Sequence, residues 1–263
     1  MNGAVEHART AAELVIPARY NGPDGSAHGG YACARIVALA DGRHGPDPAV
    51  TLLAPLPLDA PLEFRAGERR SGLWHGAELV ATVTRARDGL PLPPPVGLPA
   101  ARAAAAGYLG RTGHPFPTCW ACGPERAEDG LRLSPGPVAP GTVACTWTPR
   151  GAPGAAVPAE QVWGALDCPG GWVTDPRARP MVLSRMTAAL TGPVRAGREY
   201  EVVAARHATH GRTVVNLTAL YDADGRPLAR ATALWTEVRP PDDPAARPPH
   251  RPTTRQSPTK PGP

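Results

Sequence analysis

The sequence predicts an α+β protein in which two segments each wrap an antiparallel sheet around one central helix. Two globular segments lie on either side of a stretch rich in proline and alanine. Each segment opens with a helix that is apolar on nearly all sides, and strand-like runs of alternating polar and apolar residues follow it. Such a helix has to be covered on most sides, which a curved sheet of long antiparallel strands can do.

The first helix is predicted over residues 27–41, where Ile36 and Leu39 belong to an apolar pattern at helical spacing. The second helix is predicted over residues 158–173, with Trp163 in its apolar surface. Strands are predicted at residues 49–58, 61–66 and 75–87 in the first segment and at residues 180–190, 198–208, 212–222 and 227–238 in the second.

The repeated order of elements predicts two domains of the same kind. They are residues 1–90 and residues 115–238, joined by a linker at residues 91–114 that includes a short helix at residues 100–106. Residues 239–263 are rich in Pro, Arg and Thr and almost free of large apolar side chains, which predicts a disordered tail.

The charge balance argues against a nucleic-acid partner. The chain carries 28 Lys and Arg against 23 Asp and Glu, a net charge of +5, but it lacks basic stripes interleaved with aromatic residues. No apolar run reaches the ~20 residues needed to cross a bilayer, so no membrane contact is expected. Glu6, His7 and Arg9 stand where a signal peptide would be apolar, and a cytoplasmic location is therefore expected.

The five cysteines predict neither disulfides nor a metal site. Their number is odd, and cytoplasmic proteins rarely keep disulfides. Cys119 and Cys122 form a Cys-x-x-Cys motif, but zinc needs two further ligands. The other cysteines in that part of the chain, Cys145 and Cys168, do not form a second pair. A redox motif would follow a strand and open a helix, whereas this one lies in a loop rich in Pro and Gly, which favours a role in ordering the loop.

Three stretches resemble the hot-dog thioesterase superfamily, in particular its phenylacetyl-CoA thioesterase-like and acyl-CoA thioesterase-like members. Residues 21–30 resemble the Asn…His-Gly-Gly loop that opens the central helix of that domain. Residues 116–133 resemble its Cys-x-x-Cys-Gly-Pro…Gly-Leu lead-in, and residues 163–172 resemble its helix, on which the acid lies. The resemblance covers both globular segments and not the tail, and it implies a tandem double hot-dog fold.

The spacing within these motifs implies one site shared between the halves. Counting the family's nine-residue spacing forward from His28 reaches Val37, and counting it back from Asp167 reaches Pro158. Each half therefore keeps one part of the motif. In dimers of the family, the helix start of one protomer meets the acid of its neighbour, and a tandem fusion can replace such a dimer. The expectation is one competent site, with Gly29, Gly30 and Asp167, and one inactive site.

The resemblance implies hydrolysis of acyl-CoA or a related acyl thioester. Asp167 would be the general base or nucleophile, and the N–H of Gly30 or Gly29 would stabilise the oxyanion, helped by the partial positive charge of a helix start. His28 and Asn21 would position the loop or contact the substrate. The expected partner is a small acyl thioester, with CoA as part of the substrate and no metal or other cofactor.

Alternatives remain open at this point. A hot-dog protein can bind acyl thioesters without catalysis, and Asp167 would then be structural. Pro169 is expected to distort the helix next to Asp167. Glu160 is a further carboxylate, although its place near the helix start fits charge complementation. A dehydratase is disfavoured because no Asp and His stand together in a suitable segment. The sequence does not decide which acyl group is preferred or whether it is attached to CoA or to a carrier protein. It also does not decide whether two chains pair as a homodimer.

Overall fold

The computed structural model describes residues 11–86, 91–126 and 128–238. Within these residues, eleven strands form one continuous sheet, accompanied by three α-helices. The elements of the first half are β1 Ala11–Leu14, α1 Gly29–Ala40, β2 Pro48–Leu52, β3 Leu62–Arg65, β4 Arg70–His75 and β5 Glu78–Arg85. Those that follow are α2 Leu98–Ala106, β6 Gly136–Ala139, β7 Thr142–Trp147, α3 Ala159–Gly171, β8 Met181–Leu190, β9 Tyr200–His210, β10 Thr213–Tyr221 and β11 Pro227–Glu237.

The sheet consists of two half-sheets that meet at one pair of strands. Its order is β1-β3-β4-β5-β2-β8-β11-β10-β9-β7-β6, and neighbouring strands are antiparallel. Strands β2 and β8 join the halves through three registered pairs between Ala49–Thr51 and Arg185–Thr187, here called the seam. The Arg185 side chain reinforces the seam by donating to Thr51 Oγ1 at 2.9 Å.

The two central helices, α1 and α3, pack against each other between the half-sheets. The residues of α3 from Val162 to Gly171 are all buried, in agreement with its apolar sequence. The helices approach closely at Gly30, where a Cβ atom would lie 2.6 Å from both Asp167 Cβ and Trp163 O. Only glycine permits this contact, so it fixes how the start of α1 meets the middle of α3.

Both central helices and the strands β8 to β11 lie close to their predicted positions. Pro169 does not end α3, which continues to Gly171, because the proline stands in the last turn and the Asn216 side chain donates to Gly170 O beyond it. Strand β2 is shorter than predicted, and the chain after it forms the wall of a cavity. Strands β1, β4, β6 and β7 were missed, since they are short or interrupted by glycine and charged residues.

The predicted linker contains α2, which packs onto the second half-sheet. The buried carboxylate of Glu201 accepts hydrogen bonds from the N–H groups of Val96 and Gly97 at the start of this helix. A carboxylate is well placed there because it satisfies donors that the helix leaves unpaired. The predicted tail at residues 239–263 lies outside the described residues. None of the described helices has both the length and the apolar character that a membrane span requires.

Candidate active site

The start of α1 is built by a loop of residues 20–28 that folds back on the helix. His28 is the N-cap residue: its N–H donates to Tyr20 O at 2.7 Å, and its Nδ1 accepts from Tyr31 N–H at 3.3 Å. The rings of Tyr20 and Tyr31 stack with their centroids 3.9 Å apart, and Trp120 packs edge-on against both. These contacts bury His28 and hold the first N–H groups of the helix in place.

Asp167 of α3 faces this helix start from the other half of the chain. Its Oδ2 accepts from Gly30 N–H at 2.7 Å and lies 3.6 Å from His28 Nδ1. The residue is only 2% exposed, and its Oδ1 is buried with no hydrogen-bond partner in the described part of the chain. A buried oxygen without a partner is costly, so this carboxylate is not explained by packing alone.

The surroundings of Asp167 change its acidity. Burial raises the pKa of its carboxyl group to about 6, although the neighbouring His28 and the Gly30 N–H act in the opposite direction. A carboxylate with a raised pKa accepts a proton more readily than an exposed one. Asp167 therefore has the properties of a general base as well as those of a buried structural acid.

The two glycines at the start of α1 differ in what they offer to a ligand. The Gly30 N–H already donates to Asp167, whereas the Gly29 N–H makes no hydrogen bond to any described residue. A Cβ atom at Gly29 would lie 2.7 Å from Leu183 Cδ2 and 3.3 Å from Asp167 Oδ2. The absence of a side chain thus leaves an unpaired helix N–H next to the carboxylate, where an oxygen atom could be bound.

A cavity of about 570 Å³ opens at this point. Asp167, His28 and Gly29 line it together with a largely apolar wall from both halves. The main apolar residues of that wall are Leu52, Leu56, Phe116, Trp172, Met181, Leu183 and Trp235. Its size and its mixture of an apolar wall with a few polar groups are typical of a small-molecule site.

No protein-family model and no curated protein matches the chain. Solved structures do match it over most of its length. A protein of unknown function with a hot-dog fold from Alicyclobacillus acidocaldarius is 15% identical, with a TM-score of 0.56 over 89% of this chain and 95% of that one. The chain has a hot-dog fold.

Two other solved structures extend this likeness. A protein from Novosphingobium aromaticivorans, provisionally described as a thioesterase, is 16% identical, with a TM-score of 0.58 over 86% of this chain and 94% of that one. The tesB protein of Mycobacterium avium subspecies paratuberculosis is 12% identical, with a TM-score of 0.56 over 87% of this chain and 93% of that one. At such low identity the likeness establishes the hot-dog fold and leaves the reaction to be argued from the site.

Asn21 lies outside the wall of the cavity in this hot-dog chain. Its Nδ2 donates to Thr118 Oγ1 at 3.0 Å, and its Oδ1 accepts from Arg126 Nη1 at 3.0 Å. The side chain thus joins the loop before α1 to the loop that contains Cys119 and Cys122. This geometry fits the loop-positioning role predicted for Asn21 rather than contact with a substrate.

The second helix start has none of these features. Pro158 precedes α3, is exposed, and provides no side-chain cap. Neither Val37 nor residues 158–160 line the cavity described above. The buried carboxylate and the unpaired helix N–H that meet at that cavity therefore come from the middle of α3 and the start of α1.

The sequence did not reveal two parts of the site. The apolar wall combines residues from β8, β11 and the loop after β2, whose proximity depends on the seam. Cys168 and His28 lie beside the Cys119–Cys122 pair, which the sequence treats as isolated. One signal in the sequence could have indicated that Cys168 lies at the site. It follows Asp167 directly, so it has to lie close to wherever Asp167 lies.

Proposed function

We propose that this protein hydrolyses acyl-CoA or a related acyl thioester in the cavity between α1 and α3. We also propose that its halves, residues 1–90 and 115–238, are two hot-dog domains that together form one such site. The observation that carries the proposal is the Asp167 carboxylate, buried in a cavity wall and hydrogen-bonded at 2.7 Å to the helix start of the other half. The similar structure from Novosphingobium aromaticivorans, provisionally described as a thioesterase, supports the same class of reaction.

The proposed reaction uses groups that this site provides. The thioester oxygen would accept a hydrogen bond from Gly29 N–H, where the helix start favours the developing negative charge. Asp167 would take a proton from a water molecule while the oxygen of that water attacks the carbonyl carbon. The tetrahedral intermediate would then collapse, the carbon–sulfur bond would break, and the leaving thiolate would recover the proton. The products are a carboxylic acid and a free thiol, and the CoA moiety belongs to the substrate.

Direct attack by Asp167 is the other route with the same residues. It would form an acyl anhydride on the carboxylate, which water would hydrolyse in a second step. The two routes differ in where a label can appear in a single turnover in H₂¹⁸O. Direct attack of water on the thioester places ¹⁸O only in the product acid, whereas ¹⁸O in Asp167 requires an anhydride that water opens at the aspartyl carbon.

A second candidate function is binding of an acyl thioester without hydrolysis. It is favoured by the observation that Asp167 is 2% exposed and already accepts the Gly30 N–H, as a structural carboxylate would. In this case Asp167 would hold the two helices together, and the cavity would bind the thioester without a catalytic group.

Hydrolysis of a panel of acyl-CoA and acyl-carrier thioesters separates the two candidates. We expect the Asp167→Asn variant to lose at least ~100-fold in kcat/KM, because the amide cannot act as a base or nucleophile. Glu160→Gln is the matched control, since it removes a carboxylate from the same helix away from the cavity and should retain full activity.

Circular dichroism would show whether both variants are folded. Equal activity of the wild type and folded Asp167→Asn would contradict catalysis by Asp167. Binding of a thioether analogue without turnover of any thioester would favour the binding function instead.

A further inference from the structure

Three cysteines and a histidine from separate parts of the chain meet at the buried end of the cavity. Cys119 and Cys122 belong to the loop after α2, Cys168 is on α3, and His28 is the N-cap residue of α1. All four are buried, with exposed fractions between 2% and 6%. We call them the cysteine cluster. The proposed hydrolysis requires none of its sulfur atoms.

Most of the ligand atoms of the cluster are close enough to share a metal ion. Cys122 is outside the group of ligand atoms that lie within 4.8 Å of one another, so Cys122 Sγ and His28 Nε2 would have to approach each other on binding. The sulfur atom of Cys168 lies 3.2 Å from that of Cys122 and 3.8 Å from that of Cys119, and the latter two are 3.8 Å apart. His28 Nε2 lies 3.2 Å from Cys168 Sγ. The ligand atoms of His28, Cys119 and Cys168 all lie within 4.8 Å of one another.

These distances agree with a tetrahedral zinc site. Zinc–thiolate bonds of about 2.3 Å place the sulfur atoms of a tetrahedral site about 3.8 Å apart. Two of the three sulfur–sulfur distances already have this length, and the third would have to increase by about half an ångström. Three thiols with an imidazole form one of the common ligand sets of structural zinc sites.

The choice of the fourth ligand follows from what can take up the ring hydrogen of each candidate histidine. His114 Nε2 lies 3.3 Å from Cys122 Sγ, but both rings accept a backbone N–H at Nδ1, His28 from Tyr31 at 3.3 Å and His114 from Phe116 at 2.8 Å. Metal binding through Nε2 therefore requires the ring hydrogen to move to Nδ1. Asp167 Oδ2 lies 3.6 Å from His28 Nδ1 and can accept that hydrogen in place of the Tyr31 contact, whereas no carboxylate of the described residues lies within 4.0 Å of a ring nitrogen of His114. We therefore expect His28 to be the fourth ligand, with the carboxylate behind its ring as support.

The other two cysteines of the chain provide a contrast. Cys33 and Cys145 are fully buried, and the described residues place neither of them within the cluster. Burial raises the pKa of both thiols. The cluster differs from them in geometry: its three sulfur atoms lie within 3.8 Å of one another, which is the arrangement that a shared metal ion requires.

We propose that Cys119, Cys122, Cys168 and His28 bind one zinc ion. Binding of the ion releases the thiol protons. It also links three parts of the chain that are far apart in the sequence. Since Cys168 follows Asp167 and His28 precedes Gly29, the ion would also fix the distance between the acid and the helix start. The inference does not depend on thioester hydrolysis, and its tests measure metal rather than activity.

The metal content of the full chain, purified without a histidine tag and without added metal, is the first test. We expect about one zinc ion per chain by elemental analysis after dialysis against a weak chelator. Cys168→Ala should lose at least ~90% of this zinc, because three-ligand sites hold the ion less tightly. Cys145→Ala is the matched control: it removes an equally buried thiol outside the cluster and should keep the full content.

Cobalt substitution of the wild type keeps the proposal testable if Cys168→Ala does not fold. Tetrahedral thiolate ligation should produce sulfur-to-cobalt charge-transfer absorption, and zinc should then displace the cobalt. A wild-type chain that takes up neither ion stoichiometrically would overturn the proposal. So would a mass lower by two hydrogens that thiol reductants restore, because Cys122 and Cys168 would then form a disulfide.

The two histidines are separated by the same measurements. We expect His28→Ala to weaken zinc binding at least ~10-fold in a chelator competition and to alter the cobalt spectrum. His114→Ala should leave both unchanged, because no carboxylate of the described residues is close enough to its ring to take up the hydrogen that Nε2 would have to give up. The opposite pair of results would show that His28 is not a ligand and would overturn this ligand set.

Discussion

Helices α1 and α3 follow the same plan in the two halves, but they differ at the start, in the middle and at the end. Helix α1 starts with buried His28 and two glycines, whereas α3 starts after exposed Pro158, without a side-chain cap. At the corresponding middle position, α1 has the partly buried Val37, whereas α3 has Asp167. Each helix thus contributes one component that the other lacks.

The difference shows how burial assigns the two roles. Helix α3 is buried along nearly all of its length, which gives a carboxylate the desolvated surroundings that raise its pKa. Helix α1 ends next to exposed Asp41 but presents its first turn to the cavity, where the unpaired N–H of Gly29 can bind an oxygen atom. The more buried helix holds the acid, and the other provides the donors.

The largest effect is expected where the helices touch. Gly30→Ala should destabilise the protein by about 2–3 kcal/mol, because its Cβ would meet Asp167 and the Trp163 carbonyl at 2.6 Å. This cost outweighs the better helix propensity of alanine. Glu160→Ala, at the matching position of α3, should cost less than about 1 kcal/mol.

Urea denaturation of the wild type and both variants measures the difference in the free energy of unfolding. If the dependence of this free energy on urea concentration is the same for all three, the shift of the unfolding midpoint gives the difference directly. Similar costs for the two variants would mean that the start of α1 is no more constrained than that of α3.

A smaller effect is expected at the end of α1. Asp41 follows this helix with a φ of 47°, in the left-handed region, so Asp41→Gly should stabilise the protein by about 0.5 kcal/mol. Ala38→Gly, at an exposed position inside the same helix, should instead destabilise it by about 0.5–1 kcal/mol. Thermal unfolding followed by circular dichroism compares them, and a loss of stability in Asp41→Gly would show that the aspartate side chain itself supports the end of the helix.

No effect on activity is expected when the missing acid is placed in the other half. Val37→Asp, introduced into the Asp167→Asn variant, should leave its residual thioester hydrolysis within about 2-fold, since an acid alone provides neither oriented donors nor a cavity. The measurement is the single-turnover rate of both variants on the best substrate of the wild type. A clear recovery of activity would mean that the two helix starts are equivalent after all.

Much of the fold could be predicted because both central helices are apolar on all sides and the strands β8 to β11 are long and patterned. The resemblance also identified Gly30 and Asp167 as one site before their contact was visible, although their chemical roles are still predictions. Strand β4 was missed because its residues include Gly72 and charged ends, so pairing with its neighbours rather than its own pattern makes it a strand.

The cysteine cluster could not be predicted from spacing. Cys168 stands 46 residues after Cys122, and His28 stands 140 residues before Cys168. No sequence motif connects positions so far apart, and only the packing of α1 on α3 brings them together. The sequence names Cys168 as a nearby cysteine but gives no reason to place it, or His28, beside Cys119 and Cys122.

The seam has a consequence for the order in which the chain acquires its site. Gly30 and Asp167 are 137 residues apart, and three registered pairs join the strands beside them. Closing so long a loop is entropically slower than forming the local hairpins of β4 with β5 and β10 with β11, so the hairpins should form first. During synthesis, the start of α1 emerges long before the acid of α3. The candidate site then exists only in a finished, fully folded molecule, which keeps incomplete chains chemically inert.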